Sequence, residues 1–295
     1  MKALVTGAHG QLGRTVVRVL RDTYEVIDTA RGDLDITDES AVRSAVSAAQ
    51  PDVILNCAAY NKVDTAESEP ELALAVNAFG VQLLAAAASE IDATLVHFST
   101  DFVFDGETST PYVETDAPNP QSVYATSKLL GEWFAAEAPR HYILRVANLF
   151  GGPAVLTPDE RRRGSSLDLL ASAMLEEREV RVFVDRTVSP SYVEDVTEAM
   201  VTVLRLGLSA GLYHCVGSGS ATWFDIATEL ARRLNVTPNM RQVTLDTADL
   251  PACRPKFSVL SNRKLADAGV VLPAWQDAVQ RYADTRRGFV SAPSG

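Results

Sequence analysis

The sequence predicts an α/β fold, a Rossmann-type doubly wound parallel sheet followed by a smaller C-terminal α/β part. Three observations carry this. Short β-branched runs alternate with longer amphipathic stretches through the first half of the chain. A glycine-rich turn, Gly7 to Gly13, follows the first of those runs directly. With 295 residues, 46% hydrophobic and 22% charged, the chain has ordinary globular usage and can bury a large core.

In chain order, Ala3-Leu4-Val5-Thr6 reads as a strand and Gly13 to Leu20 as a helix. Tyr24 to Ile27 is a second strand, and Thr37 is the expected N-cap of a helix with acidic residues in its first turn. Asp52 to Asn56 forms a third strand, Glu71 to Ser89 a long Ala/Leu-rich helix, and Thr94 to Phe98 a fourth strand. A helix at Tyr124 to Ala136 and a strand at His141 to Arg145 complete this half, as right-handed βαβ units would.

The second half is less regular. Gly151 to Ser166 holds Pro, Gly and the run Arg161-Arg162-Arg163, which predicts a loop, with an insertion-like segment at Pro153 to Gly164. A helix (Leu167 to Glu177), a strand (Val180 to Val184) and a helix (Glu194 to Leu206) follow. Thr222-Trp223-Phe224-Asp225 opens another helix, and Pro251 to Leu260 reads as extended. No repeat or low-complexity linker divides the chain, so one compact body is expected.

Several classes are disfavoured. A formal net charge of −11 opposes nucleic-acid binding. No run of about 18 apolar residues is legible, and the start lacks a signal-peptide pattern, so no membrane partner and a cytoplasmic location are expected. Cys57, Cys215 and Cys253 are odd in number and far apart, which predicts buried, reduced thiols. His9, His97, His141 and His214 are equally scattered, so no metal site is expected.

Gly7-Ala8-His9-Gly10-Gln11-Leu12-Gly13 has the spacing G-x-x-G-x-x-G between a strand and a helix. Gly7 permits the tight turn, Gly10 lets backbone approach a pyrophosphate, and Gly13 permits close helix–sheet packing. The free N–H groups of the helix N-terminus suit phosphate. Residues 1–150 therefore read as an NAD(P)-binding domain, and 151–295 as a substrate-binding part intertwined with it, with later segments free to rejoin the first sheet. Beyond the second strand, Val26-Ile27-Asp28-Thr29-Ala30-Arg31 puts Ala30 where an acid would bind the ribose 2′-OH, and Arg31 after it favours NADPH. Should that strand end sooner, Asp28 would take the ribose and NADH would be preferred.

Tyr124-Ala125-Thr126-Ser127-Lys128 gives Y-x-x-x-K at the start of a helix, with both side chains on one face. The Lys128 ammonium is expected to lower the pKa of the Tyr124 phenol and allow proton transfer near neutral pH. Thr100 ends the fourth strand, at the sheet edge where such folds bind ligands, and its hydroxyl can reach the same substrate oxygen.

The glycine cradle, the Asn-Cys-Ala-Ala after the third strand, Ser99-Thr100 after the fourth and then Y-x-x-x-K resemble the layout of short-chain dehydrogenase/reductases. Asn56 to Glu71 resembles the "NAAA(Y/H)TxVDxAExE" segment of the dTDP-4-dehydrorhamnose reductase family, and Ser99 to Gly106 its "STDYVFDG". Arg186 to Ser191 resembles "DQxGxPT". Gly211 to Cys215 with Thr222-Trp223 is similar to "GxYHxxxxGxxSW", Arg254 to Leu260 to "RPxxSxL", and Leu272 to Trp275 to "LPxW". The resemblance spans nearly the whole chain.

It implies reduction of a 4-keto group on a dTDP-linked 6-deoxy-sugar, with hydride from nicotinamide C4 and no metal in the chemistry. Tyr124 would be the proton donor, Lys128 would orient it and hold the nicotinamide ribose, and Thr100 would position the carbonyl oxygen. The expected cofactor residues are Gly7, His9, Gly10, Gln11, Leu12 and Gly13, then Ala58, Ala59, Tyr60, Ser99 and Lys128. Arg31 would sit at the ribose, and Asp35 and Ile36 near adenine. Asp101, Phe102, Asn148 and Arg254 join Thr100 and Tyr124 on the substrate side, with the Arg254 fork on the diphosphate or else a plain surface group. Asn77 is either a helix polar group or a prop for the active-site backbone. Backbone amides and a few Arg must attract these anionic ligands against the global charge, which is screened over about 8 Å. A monomer or homodimer is expected.

The sequence departs from the family on the substrate side. Phe102 stands where relatives carry Tyr, Arg145 to Gly152 replaces "RTxWxYG" and loses an aromatic, and the Pro153 to Gly164 loop replaces a short glycine turn. A sibling 4-ketoreductase for another deoxy-sugar is therefore an alternative, as is a non-catalytic NADP-binding regulatory subunit. An epimerase would return its hydride. A dehydratase needs an Asp-Glu pair after the Thr, and here Asp101 is followed by Phe102.

Overall fold

Residues 1–152 and 164–290 are described in the computed structural model. The expected loop at Pro153 to Gly164, with its arginine run, lies outside the described residues except for Gly164.

Strands β1 (Lys2–Thr6), β2 (Glu25–Thr29), β3 (Val53–Asn56), β4 (Thr94–Thr100) and β5 (His141–Val146) form a parallel sheet in the order β5-β4-β3-β1-β2. A sixth strand, Gly211–His214, pairs in parallel with β5 and extends that edge. The apolar runs explain the arrangement. All four residues of β3 are buried, as are Ala3 to Thr6 of β1 and Leu95 to Thr100 of β4, which requires a sheet covered on both faces. On one face, helix α1 (Gln11–Leu20) and the helix Val193–Leu206 pack Val16, Leu20, Val196 and Met200 against Val5 and Leu144. On the other, α2 (Glu39–Ala49) and the helix Gly80–Glu90 pack Val42, Val46, Val81 and Leu84 against Leu4, Ile54 and Leu95. The chain runs from β1 outward to β2 and then back across to β3, so the strand order reverses between β1 and β3. Ligands of doubly wound sheets bind at the carboxyl ends of strands at such a point.

A second core lies C-terminal to this sheet. The helices Ser166–Leu175, Trp223–Leu234 and Trp275–Val290 contribute Leu167, Met174, Ile226, Leu230, Val279 and Tyr282 to it. Short strand pairs connect it to the site. Leu149–Phe150 runs parallel to Ser191–Tyr192, and Thr187–Val188 runs antiparallel to Ala221–Thr222.

Several expected boundaries shift for local reasons. Helix α1 starts at Gln11 with Gly10 as its N-cap, ahead of Gly13. Asp38, and not Thr37, caps α2 by accepting from Ala41 N at 3.0 Å, while the Thr37 hydroxyl donates to Asp35 at 2.7 Å. Asp38 brings a negative charge to the positive end of the helix, which a hydroxyl does not. The long Ala/Leu-rich helix runs from Pro70 to Glu90 but contains one π turn, Ala75–Phe79. Against the expectation of no such run, this 21-residue helix has a window of mean hydropathy 1.7, long and apolar enough to cross a membrane. Half of that window is buried inside the protein, with Val81, Leu84 and Ala88 in the core. Cys215 is buried and Cys57 half-buried, but Cys253 is exposed, contrary to expectation, in the extended segment after Pro251.

Candidate active site

The glycine turn closes on the end of β3. Gly7 has a φ of +64°, and a Cβ there would lie 2.5 Å from the Ala58 amide nitrogen. A Cβ on Gly13 would lie 2.3 Å from the Gly7 carbonyl oxygen. Both positions therefore need glycine on steric grounds. Gly10 caps α1 without a side-chain hydrogen bond, so the first amides of that helix remain available to an anion. The turn is anchored from below: Asn56 Oδ1 accepts from the Thr6 hydroxyl at 2.8 Å and from Ala58 N at 3.2 Å. Asn56 Nδ2 meets His97 Nδ1 at 3.1 Å. Burial holds His97 well below its usual pKa, so the ring is neutral and its Nδ1 accepts from Asn56. These features fit a dinucleotide pyrophosphate.

Ser122 caps the helix Val123–Ala135 by accepting from Ala125 N at 3.2 Å, and this sets Tyr124 and Lys128 one turn apart. Both are buried. Lys128 Nζ donates to the Phe98 carbonyl at 2.6 Å, at the end of β4. Burial draws the Lys128 pKa down to about 8, while Glu132 and Cys57 pull the other way. The expected lowering of the Tyr124 pKa is overturned. Burial pushes the phenol up to about 12, with the neighbouring Thr100 hydroxyl opposing the rise and the Asp101 carboxylate adding to it. Removing the phenol from water disfavours phenolate more strongly than the surrounding groups favour it. Burial likewise pushes the Cys57 thiol up to about 12, so it stays protonated.

Asn77 acts as a prop. Its Oδ1 accepts from Tyr60 N at 2.8 Å, and its Nδ2 donates to the Tyr60 carbonyl and to the Ser127 hydroxyl, both at 3.0 Å. It thereby fixes the strand-end segment to the Tyr124 helix. The π turn carries Asn77 here, against a bare Gly131, where a Cβ would lie 2.1 Å from the Asn77 carbonyl.

One pocket of about 400 Å³ gathers the candidate groups. Gly10, Gln11 and Leu12 line it with Ala58 and Ala59 at one end. Ser99, Thr100, Asp101, Phe102, Tyr124, Lys128, Asn148 and Arg254 line it as well. The Phe102 ring meets Tyr124 edge-on, with centroids 5.8 Å apart.

Other expected residues lie elsewhere. Tyr60 turns its hydroxyl to Glu69 at 2.6 Å and does not line the pocket. Ile36 is packed into the core beside Gly80. His9 is exposed and offers its carbonyl to Arg14 at 2.9 Å. Ser99 lines the pocket, but its hydroxyl is committed to Glu132 at 2.5 Å. Arg254 also lines it, but both arms of its fork bind Asp64, at 2.8 and 2.6 Å. Strand β2 continues to Thr29, so it does not end short of Asp28, whose carboxylate pairs with Arg21 at 3.2 Å. Arg31 is exposed and Asp35 half-buried, and the two are loosely paired at 3.8 Å.

The pocket also contains residues that sequence reasoning passed over as ligand contacts: Asn56, Cys57, Phe98, Arg186 and Trp223. For Asn56 and Cys57 a signal existed, since they directly precede Ala58. Arg186 and Trp223 reach the pocket only through the C-terminal strand pairs. Among the described residues, no group of three or more His, Cys, Asp or Glu could hold a metal ion.

Residues 1–287 match the family model described as RmlD substrate binding domain. The chain belongs to this family. It is 37% identical, over 94% of its length and 91% of the relative's, to a Streptomyces griseus protein named dTDP-4-dehydrorhamnose reductase. It is 35% identical to a Streptomyces antibioticus protein named "Probable dTDP-4,6-dihydroxy-2-methyloxan-3-one 4-ketoreductase", covering 98% of this chain and 99% of that one. A crystal structure of dTDP-4-dehydrorhamnose reductase from Bacillus anthracis in complex with NADP superposes with a TM-score of 0.89 at 31% identity, covering 99% of this chain and 100% of that one.

Proposed function

We propose that the chain reduces the 4-keto group of a dTDP-linked 6-deoxy-sugar, with dTDP-4-dehydrorhamnose as its substrate. The observation that carries the reading is convergence: Thr100, Tyr124 and Lys128 line the same pocket as the Gly10-Gln11-Leu12 phosphate cradle. The S. griseus and B. anthracis relatives, both named for this activity, support it.

Raised to about 12, the Tyr124 phenol holds its proton throughout the neutral range, as a proton donor must. When bound, a reduced nicotinamide supplies the hydride. Tyr124 then delivers its proton to the former carbonyl oxygen, and Thr100 holds that oxygen in place. Lys128, charged below about pH 8, offsets the negative charge left on the phenol oxygen. Its bond to the Phe98 carbonyl keeps the ammonium aimed at the site. The dinucleotide pyrophosphate rests on the Gly7 to Gly13 turn, and Ser166, Arg186, Trp223 and Arg254 of the C-terminal half join Thr100, Asp101, Phe102, Tyr124 and Asn148 around the pocket. Arg31, which follows the end of β2 at Thr29, favours NADPH over NADH, as does the NADP bound to the B. anthracis relative.

A second reading, a sibling 4-ketoreductase for another deoxy-sugar, is favoured by one observation. The substrate-side residues Phe102 and Asn148 stand where the reductases carry Tyr and an aromatic-bearing segment, and the S. antibioticus relative bears a different sugar in its name. The test is NADPH depletion against a panel of dTDP-4-keto-6-deoxy-sugars. Fastest turnover with the rhamnose precursor supports the first reading, fastest turnover with another sugar supports the second, and no consumption with any of them sinks both.

A further inference from the structure

The pocket contains buried donors that have no hydrogen-bond partner among the described residues. Arg186 is 7% exposed, and its Nε and Nη2 lack a hydrogen-bond partner among the described residues. Trp223 is 8% exposed with its Nε1 unpartnered, and Asn148 Nδ2 is buried and unpartnered as well. All three residues line the pocket that holds Tyr124. They are tied together by backbone. Trp223 N donates to the Arg186 carbonyl at 3.3 Å, and Ser191 N, five residues beyond Arg186, donates to the Asn148 carbonyl at 3.4 Å. Asn148 is held at a φ of +44°, a conformation that few side chains adopt. The Arg186 guanidinium is further fixed over the Phe102 ring, 5.2 Å from its centroid.

Buried polar groups are almost always satisfied, so a cluster of orphans facing a cavity points to a wall that binds a ligand. Among the described residues, four of the five orphaned atoms lining this pocket are donors, two of them on the charged Arg186 guanidinium; the fifth, Asp101 Oδ2, is an acceptor on a carboxyl whose pKa burial raises. Sugar hydroxyls both donate and accept, whereas the oxygens of a diphosphate only accept and are anionic. A guanidinium kept from water is best compensated by such oxygens. Arg254 is already neutralised by Asp64 and has no free fork to offer.

We infer that Arg186, Trp223 and Asn148 form the wall that grips the diphosphate of the nucleotide-linked substrate, with Arg186 as its principal charge. The inference rests on the proposed reaction for the identity of the ligand, but its test does not require turnover.

The test is calorimetric titration of the full-length protein, saturated with NADPH, with dTDP and separately with thymidine. Arg186→Gln should weaken dTDP binding at least about tenfold, the scale of a lost charge-assisted hydrogen bond. Trp223→Phe, which keeps the ring plane and removes only the N–H, should weaken it about threefold to tenfold. Thymidine affinity should not move in either variant. Unchanged dTDP affinity in both variants overturns the proposal, even if the KM for a keto-sugar rises, because the wall would then be reading the sugar. Equal losses for dTDP and thymidine overturn it too. A wild type that binds dTDP in this way yet turns over no dTDP-4-keto-sugar would sink the proposed reaction and leave the diphosphate wall standing. If Arg186→Gln does not fold, Trp223→Phe carries the same outcomes.

Discussion

Lys128 Nζ lies 2.6 Å from the Phe98 carbonyl oxygen, so the buried ammonium is fixed to the end of β4 by a main-chain acceptor. Its pKa is still drawn down to about 8 by burial. A base with a lowered pKa is charged below that value and neutral above it. The kcat/KM for keto reduction should therefore be flat from pH 6 to 7 and fall as pH rises through about 8. Lys128→Arg should move the fall to higher pH. A profile that stays level to pH 10 in the wild type would contradict this role.

Removing the Tyr124 hydroxyl should leave the pocket intact, because the Phe102 edge contact involves only the ring. Tyr124→Phe should lower kcat at least about 100-fold, the scale of a lost general acid, with NADPH affinity unchanged. Stopped-flow NADPH oxidation alongside fluorescence titration of the cofactor separates the two effects. Full activity in the variant would remove Tyr124 from the mechanism.

Cofactor preference should follow Arg31, whose side chain is exposed and only loosely held by Asp35 at 3.8 Å. Arg31→Ala should raise the KM for NADPH about tenfold and leave that for NADH within about twofold, as expected from the loss of one charge-assisted contact to the 2′-phosphate. Steady-state kinetics with both cofactors would expose the error if the NADPH value did not move.

Behind the site, Arg145 forms a bidentate pair with Glu132 at 2.8 and 2.7 Å, with both side chains buried, and Ser99 donates to the same carboxylate. Glu132→Leu would strand the Arg145 charge in the core. Its expected cost is about 3–5 kcal/mol, measured by urea unfolding. Glu132→Leu combined with Arg145→Met should recover much of that loss, since the stranded charge is then gone. A single variant as stable as wild type would show that water reaches Arg145.

The glycine turn and the Tyr124–Lys128 pair were legible because both are local. Gly7, Gly10 and Gly13 act within one turn, and Tyr124 and Lys128 within one turn of helix, so residue spacing alone puts them in position. The strands at Ala3 to Thr6 and Val53 to Asn56 were legible for the same reason, each being a short run buried on both faces. The ambiguity at Asn77 could not be resolved that way: its partners Tyr60 and Ser127 are 17 and 50 positions distant.

By itself, the sequence determined the alternation of strands and helices in the first half, the glycine turn and the spacing that puts Tyr124 and Lys128 one helical turn apart. Tertiary structure alone decided how those groups are charged and which side chains line the pocket. Tyr124 has a raised pKa because packing removes water from it, and no spacing rule encodes that. Arg254 is engaged by Asp64 across 190 positions, while Arg186 and Trp223 are brought together by a strand pair, with Arg186 Nε and Nη2 and Trp223 Nε1 left without hydrogen-bond partners among the described residues. Charge compensation and desolvation depend on neighbours in space, and long-range contacts set those neighbours.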